Sequence, residues 1–288
     1  SLAERYGASV ADPDAALNDP AVDAVLIASS TDTHADLIER AAQAGKAIFC
    51  EKPLDLDIVR AQQSLAGVAQ ANVLLALGFN RRYDPAFRRL HREIGAGRAG
   101  NVEVVSITSR DPSPPPPAYV ARSGGLFRDM MIHDLDMARW LIGEEPATVF
   151  ARGSALVDPA IGAAGDIDTA VVVLETAGGR LCQITNSRRC AYGYDQRIEV
   201  FGSRGLLRAD NVPATTVEVA GAEGFTREPA LPFFLERYAA AYRDELDEFL
   251  RALRGEPAQL ATGEDGRRAL LLANAAQESL ESGAPVRI

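Results

Sequence analysis

Lys52, Asp129 and His133 are the side chains of this sequence whose types suit removing a proton from an alcohol while a hydride leaves its carbon. Lys52 lies in Glu51-Lys52-Pro53, directly after the apolar run Lys46-Ala-Ile-Phe-Cys50. Proline excludes the helical region for the residue before it, so Lys52 is held extended. Asp129 and His133 stand four residues apart in Gly124-Gly-Leu-Phe-Arg-Asp129-Met-Met-Ile-His133, a spacing that shares one helix face. Imidazole titrates near neutral pH and can take a proton, and an ammonium group favours negative charge developing on the oxygen. Each residue also has a plainer reading. Lys52 could be a solvated strand end, Asp129 a carboxylate favoured by a helix N-terminus, and His133 a partly buried core residue. Gly124 and Gly125 would let backbone approach a ligand closely. Asp136, on the same stripe, reads as a supporting or surface group.

The elements that must position these residues follow two patterns. In the first third, Asp23–Ser29, Lys46–Cys50 and Asn72–Phe79 are short apolar runs that read as buried strands. Between them lie a helix from Thr33 to Ala44, closed by Gly45, and a second helix capped by Asp55 and running to about Ala71. Strand and helix alternating through short loops imply right-handed crossovers and a parallel sheet. Ligands of such sheets bind at the carboxyl ends of the strands, where Ser29 to His34 and Lys52 fall.

The pattern then changes. Helices are expected at Asp84–Ile94 and Asp129–Ile142, with a strand at Asn101–Ser109 between them. The proline run 111–117 reads as a stiff extended loop. Strands are expected at Thr148–Gly153, Asp168–Glu175, Arg180–Arg188, Gln196–Phe201 and Leu206–Ala209. Turn signals at 177–180 and 202–205 predict hairpins, hence an antiparallel sheet whose second face needs a cover. Helices at Leu235–Arg254 and Gly263–Ser282 complete the chain. The predicted domains are 1–80, a parallel α/β unit, and 81–288, an α+β unit.

Bulk properties narrow the function classes. Over 288 residues the chain is 47% hydrophobic and 24% charged, an ordinary globular balance. A net charge of −10 argues against nucleic acid or an anionic membrane as partner. No apolar run approaches the ~20 residues a membrane span needs. Three cysteines without C-x-x-C spacing predict free thiols in a reducing cytoplasm, and three scattered histidines give no metal signal. A literal G-x-G-x-x-G at Gly95–Gly100 follows a helix and precedes a strand. That is the wrong context for holding phosphate, and it reads as a helix stop and turn.

Several stretches resemble the inositol 2-dehydrogenase branch of the glucose–fructose oxidoreductase and inositol dehydrogenase (Gfo/Idh/MocA) family. They are Ile27-Ala-Ser-Ser-Thr-Asp-Thr-His34, Gly45 to Pro53, Gly78-Phe-Asn-Arg-Arg-Tyr-Asp-Pro85, Gly124 to Arg139, and Tyr192-Gly-Tyr-Asp-Gln-Arg-Ile-Glu-Val-Phe-Gly202. The resemblance implies a Rossmann-type parallel sheet followed by an α+β domain with a large, mostly antiparallel, open-faced sheet. It implies an NAD-dependent oxidoreductase, with NADP not excluded, acting on myo-inositol or a related cyclic polyol or sugar. It also implies a dimer or tetramer built through the C-terminal sheet. The resemblance makes Lys52, Asp129 and His133 catalytic. It places Ser29, Ser30, Thr31, His34, Glu51 and Lys52 at the cofactor, and Arg81, Asp111 and Tyr194 at the substrate.

Family members begin with a strand, a glycine-rich turn, a helix and a second strand ending in an acidic residue, none of which is found in this sequence. Either the sequence is a fragment or the dinucleotide is held in another way. The rival function is a non-catalytic sugar sensor or scaffold that has lost dinucleotide binding.

Overall fold

Short apolar runs closed by small polar residues become parallel strands in the computed structural model, which describes residues 2–288. The chain forms two compact units. One holds the residues up to Gly78 together with Glu248–Arg267, and the other holds Phe79–Asp247 together with Arg268–Ile288.

In the first unit, β1 (Ala24–Ile27), β2 (Ala47–Cys50) and β3 (Leu75–Leu77) pair in parallel in the order 1-2-3. Four helices accompany them: α1 (Leu2–Tyr6), α2 (Pro13–Asn18), α3 (His34–Gln43) and α4 (Ile58–Ala71). Helix α3 buries Ala35, Ile38, Ala41 and Ala42, one stripe at helical spacing. Asp57, rather than Asp55, caps α4. Its Oδ1 accepts from the N–H of Val59 at 2.7 Å and of Arg60 at 3.1 Å. Asp55 instead accepts from the N–H of Asp57 at 2.8 Å and so tightens the turn before the cap. Chain order alone hides why Glu248–Arg267 belongs here. Ala261 C=O accepts from Leu77 N–H at 2.9 Å, which extends the β3 edge. Phe249 also packs edge-on to Phe49, with ring centroids 5.7 Å apart.

The second unit begins with α5 (Pro85–Gly95), whose N-cap Asp84 bonds the N–H groups of Ala86 and Phe87. Strand β4 (Val102–Arg110) follows, and the Gly95–Gly100 segment is a helix stop and turn between the two. The proline run is only partly extended, because Pro117 opens the short helix α6 (Pro117–Ser123). Proline suits a first helical turn, where its missing N–H costs no bond. After a π-helical turn at Phe127–Met131, α7 (Ile132–Ile142) runs to a left-handed Gly143. The other helices of the chain are α8 (Pro159–Ala163), α9 (Phe234–Arg237), α10 (Ala239–Leu253) and α11 (Gly263–Ser282), of which α10 belongs to this unit up to Asp247 and α11 from Arg268. The helix expected from Leu235 is therefore broken at Tyr238, whose backbone is non-helical.

Strands β5 (Pro146–Ser154), β6 (Thr169–Thr176), β7 (Leu181–Ser187), β8 (Asp195–Gly202), β9 (Gly205–Ala209) and β12 (Val286–Arg287) join β4 in one sheet. Its order is 12-5-6-7-4-8-9. All pairings are antiparallel except β4 with β7, which is parallel. A separate hairpin, β10 (Glu218–Gly221) with β11 (Gly224–Arg227), has every residue exposed. The inner sheet face buries Val105, Ile107, Val172, Leu174, Ile184, Ile198 and Val200 with Leu135, Ala138 and Leu141 of α7. Burying each large aliphatic chain is worth roughly 1.5–3 kcal/mol. The outer face leaves Val171, Val173, Leu181, Phe201 and Leu206 exposed.

All three cysteines are free and buried. Among the described residues no helix is long and apolar enough to cross a membrane.

Candidate active site

In the first unit, candidate residues cluster at the carboxyl ends of the parallel strands. After β1, Thr33 Oγ1 lies 2.6 Å from Ser29 Oγ and donates to Ser30 C=O at 2.7 Å. The Ser29 and Ser30 side chains are exposed and Thr31 is half-buried. His34 is 1% exposed. Its Nδ1 lies 2.7 Å from Pro53 O and its Nε2 3.2 Å from Ser29 O, so the ring ties the two strand-end loops together. After β2, Glu51 N–H donates to Ile27 C=O at 2.9 Å, and Gly78 N–H donates to Cys50 C=O at 2.8 Å. Burial raises the Glu51 carboxyl above its ordinary range, against the opposing pull of the Lys52 ammonium. The Lys52–Pro53 peptide is cis. A Cβ at Gly78 would stand 2.8 Å from Glu51 Oε2 and 3.2 Å from Glu51 Cα, so this position admits only glycine without a shift.

In the second unit, polar residues gather where the inner sheet face turns from apolar to polar. Register places Ser109 opposite Asn186 on one side and Gln196 on the other. Ser109 Oγ donates to Asp134 Oδ1 at 2.6 Å, and Asn186 Nδ2 donates to Asp134 Oδ2 at 2.9 Å. Arg81 Nη1 donates to Ser109 Oγ at 3.0 Å and forms a buried ion pair with Asp134. Burial disfavours the Arg81 charge, yet Asp134 together with Tyr238, Tyr194 and Asp111 more than offsets this and holds the guanidinium above its usual range. One residue beyond β4, Asp111 N–H donates to Ser187 C=O at 2.9 Å. Burial pushes the Asp111 carboxyl up to about 6, with Arg188 and Arg81 pulling the other way.

Asp129 sits in the π-helical turn rather than in the first turn of an α-helix. Its Oδ1 accepts from Tyr119 Oη at 2.8 Å and its Oδ2 from Arg188 Nη2 at 3.2 Å. Burial, then the Asp129 charge, pushes the Tyr119 phenol upward, so it stays a protonated donor. His133 follows in the first turn of α7, half-buried, with the Phe79 ring edge-on at 6.1 Å between centroids. Gly124 and Gly125 serve the turn. Gly124 is the left-handed cap of α6, and a Cβ on Gly125 would meet Asp166 Oδ1 at 2.8 Å.

The two units hold the candidates separately: Lys52 lies in the first, Asp129 and His133 in the second. Arg81 is 4% exposed and committed to Asp134. Tyr194 is 6% exposed, its ring edge-on to Phe233 and Tyr238 in the core. Asp136 pairs with Arg82, Nε to Oδ2 at 2.7 Å. The Tyr192–Arg197 stretch is pinned by buried Asp195, which accepts from Tyr192 Oη at 2.7 Å, Arg197 Nε at 2.7 Å and Asn211 Nδ2 at 2.8 Å. Sequence reasoning passed over Tyr119, Arg188, Asp134, Ser109 and Asn186. A signal for two of them existed. Cys182, Ile184 and Asn186 alternate inward along β7, and the same period of two reaches Arg188.

The arrangement offers a carboxylate held by exposed Tyr119 and buried Arg188, with an imidazole one helical turn further on. The profile of the oxidoreductase family with an NAD-binding Rossmann fold matches residues 1–79, and that of the GFO/IDH/MocA C-terminal domain matches residues 87–208. Inositol 2-dehydrogenase of Rhizobium meliloti (strain 1021) is 51% identical over 280 residues, which covers 97% of this chain and 85% of that protein. The crystal structure of a myo-inositol dehydrogenase from Corynebacterium glutamicum superposes with a TM-score of 0.95 at 44% identity, covering 100% of this chain and 86% of that one. A scyllo-inositol dehydrogenase from Lactobacillus casei, solved with bound NAD(H) and scyllo-inositol, gives a TM-score of 0.89 at 32% identity, covering 99% and 86%.

Proposed function

The chain belongs to the GFO/IDH/MocA oxidoreductase family, and from that premise we propose that it oxidises a ring hydroxyl of a cyclic polyol, myo-inositol or a related cyclitol, to the ketone with NAD. The observation that carries this reading is the Asp129 carboxylate, held by Tyr119 and Arg188 one turn before His133. The residues of the first unit fit one flank of a dinucleotide. Exposed Ser29 and Ser30 hydroxyls and half-buried Thr31 and Glu51 stand at carboxyl ends of parallel strands, where such ligands bind. NAD, when bound, accepts the hydride.

The proposed roles follow the chemistry of each group. His133 takes the hydroxyl proton as general base, a step typically worth ~10²–10⁴ in rate. Asp129 orients the imidazole and stabilises its protonated form. Lys52 supplies a cation for the reacting oxygen. The C–H electron pair leaves as hydride, the O–H proton passes to His133, and the C=O bond forms. Asp111 hydrogen-bonds a substrate hydroxyl, while Arg81 and Tyr194 shape the wall behind it. The relatives named above are dehydrogenases, which speaks against a sensor without turnover.

The exposed valines, leucines and phenylalanine of the outer sheet face suit burial against a second copy of the chain, so we read the protein as a homo-oligomer. Free, buried cysteines suit a reducing cytoplasm. Formation of reduced nicotinamide from NAD and myo-inositol by the natural protein tests the reading. Failure with every cyclitol and sugar tried would overturn it.

A further inference from the structure

Arg188 is 2% exposed, yet only one of its donors is seen on a carboxylate, Nη2 on Asp129 Oδ2 at 3.2 Å. Its Nε is buried with no hydrogen-bond partner among the described residues. Burying a guanidinium this way is costly, and a polar group so kept calls for an explanation. The backbone around it is pinned from two sides. Arg188 N–H donates to Asp168 C=O at 2.8 Å, and the neighbouring Ser187 C=O accepts from Asp111 N–H at 2.9 Å. Asp168 is itself anchored by the N–H groups of Leu156, Val157 and Asp158 at 2.8, 2.8 and 3.0 Å. The backbone that carries the guanidinium is therefore held, and the buried side chain turns one donor onto Asp129. Tyr119 Oη holds the other Asp129 oxygen at 2.8 Å.

We propose that Arg188 is a positioning residue for the proton-transfer pair: with Tyr119 it fixes both oxygens of Asp129 and sets the field at His133, one helical turn away. The inference rests on the polyol dehydrogenase reading for its consequence, though not for its geometry. Charged and titratable groups near this pair among the described residues include the Tyr119 phenol, which bonds Asp129; Asp111, which feels Arg188, Arg81, Asp129 and Asp134; and Asp168, whose C=O accepts from Arg188 N–H.

The sign of the effect is fixed by electrostatics. Removing a cation beside the pair favours the imidazolium, so the His133 titration midpoint must rise. The chain has three histidines, His34, His91 and His133, so imidazole NMR of the cofactor-free natural protein can follow each one separately. In Arg188→Met the His133 midpoint is expected to rise by about one pH unit, while His34 and His91 stay put and serve as internal controls. The acidic limb of kcat/KM should rise with it. A folded Arg188→Met protein with an unmoved His133 midpoint overturns the proposal. Should that variant fail to fold, Arg188→Lys decides. Lysine keeps the charge but not the planar fork, so the midpoint should hold while kcat falls about tenfold or more from lost geometry. Wild-type kcat in Arg188→Lys overturns the positioning role. His133→Gln separates the role of Arg188 from that of the site. If it turns over like wild type, the reading of the site fails. If it is inactive while Arg188→Met titrates like wild type, only the role of Arg188 fails.

Discussion

Ser109 and Asn186 stand opposite each other in the parallel register of β4 and β7, and both donate to Asp134, at 2.6 and 2.9 Å. The carboxylate beside His133 in sequence is thus shared by two strands and by the Arg81 guanidinium. A buried ion pair adds little net stability when whole, but losing one partner leaves a charge uncompensated. Asp134→Asn is therefore expected to cost about 3–5 kcal/mol, read from denaturant unfolding. Arg81→Met combined with Asp134→Asn should recover part of that loss, because no orphan charge remains. A single mutant as stable as wild type would contradict the network.

The close approach at Gly78 makes a second prediction. A methyl there meets both the Glu51 side chain and its backbone, and backbone cannot swing aside. Gly78→Ala should cost about 1–3 kcal/mol by thermal unfolding. It should also weaken NAD binding, measured by calorimetry, because Glu51 and the strand-end loops move together.

Parallel buried strands are legible because they read as continuous apolar runs, and β1, β2 and β3 fall where those runs lie. Glycine-bearing turn signals at 177–180 and 202–205 likewise mark the hairpins that join β6 to β7 and β8 to β9. Long-range pairings are not written locally. Nothing near Ser109 tells that its strand pairs in parallel with β7, and nothing near Ala261 tells that it bonds Leu77. Choices between near-equal local signals also went astray. Asp55 and Asp57 are both good caps, and tertiary placement of α4 selects the second. Motifs single out Lys52, Asp129 and His133 as candidates from the sequence alone. Arg188 and Tyr119 escaped because an arginine ending a strand and a tyrosine after prolines are common on surfaces. Only the fold brings them to Asp129.

Asp111 provides a pH-dependent test. Burial raises its carboxyl from the ordinary range up to about 6 in the folded protein. A raised carboxyl means the folded state binds more protons than the unfolded one between about pH 4 and 6, so stability falls as pH rises through that window. Asp111→Asn should flatten this slope and raise stability at pH 7 by up to about 3 kcal/mol relative to wild type, measured by denaturant titration across pH. The same variant should raise KM for the polyol, since its hydroxyl partner has changed.

The most direct measurement follows deuterium. The natural protein is given NAD and myo-inositol carrying deuterium on the ring carbon of the reacting hydroxyl, and the label in the reduced nicotinamide is counted. Labelled cofactor is expected in wild type, and in folded His133→Gln a rate lower by ~10²–10⁴. Label transfer at the wild-type rate in that variant, or none at all in the wild type, would contradict it.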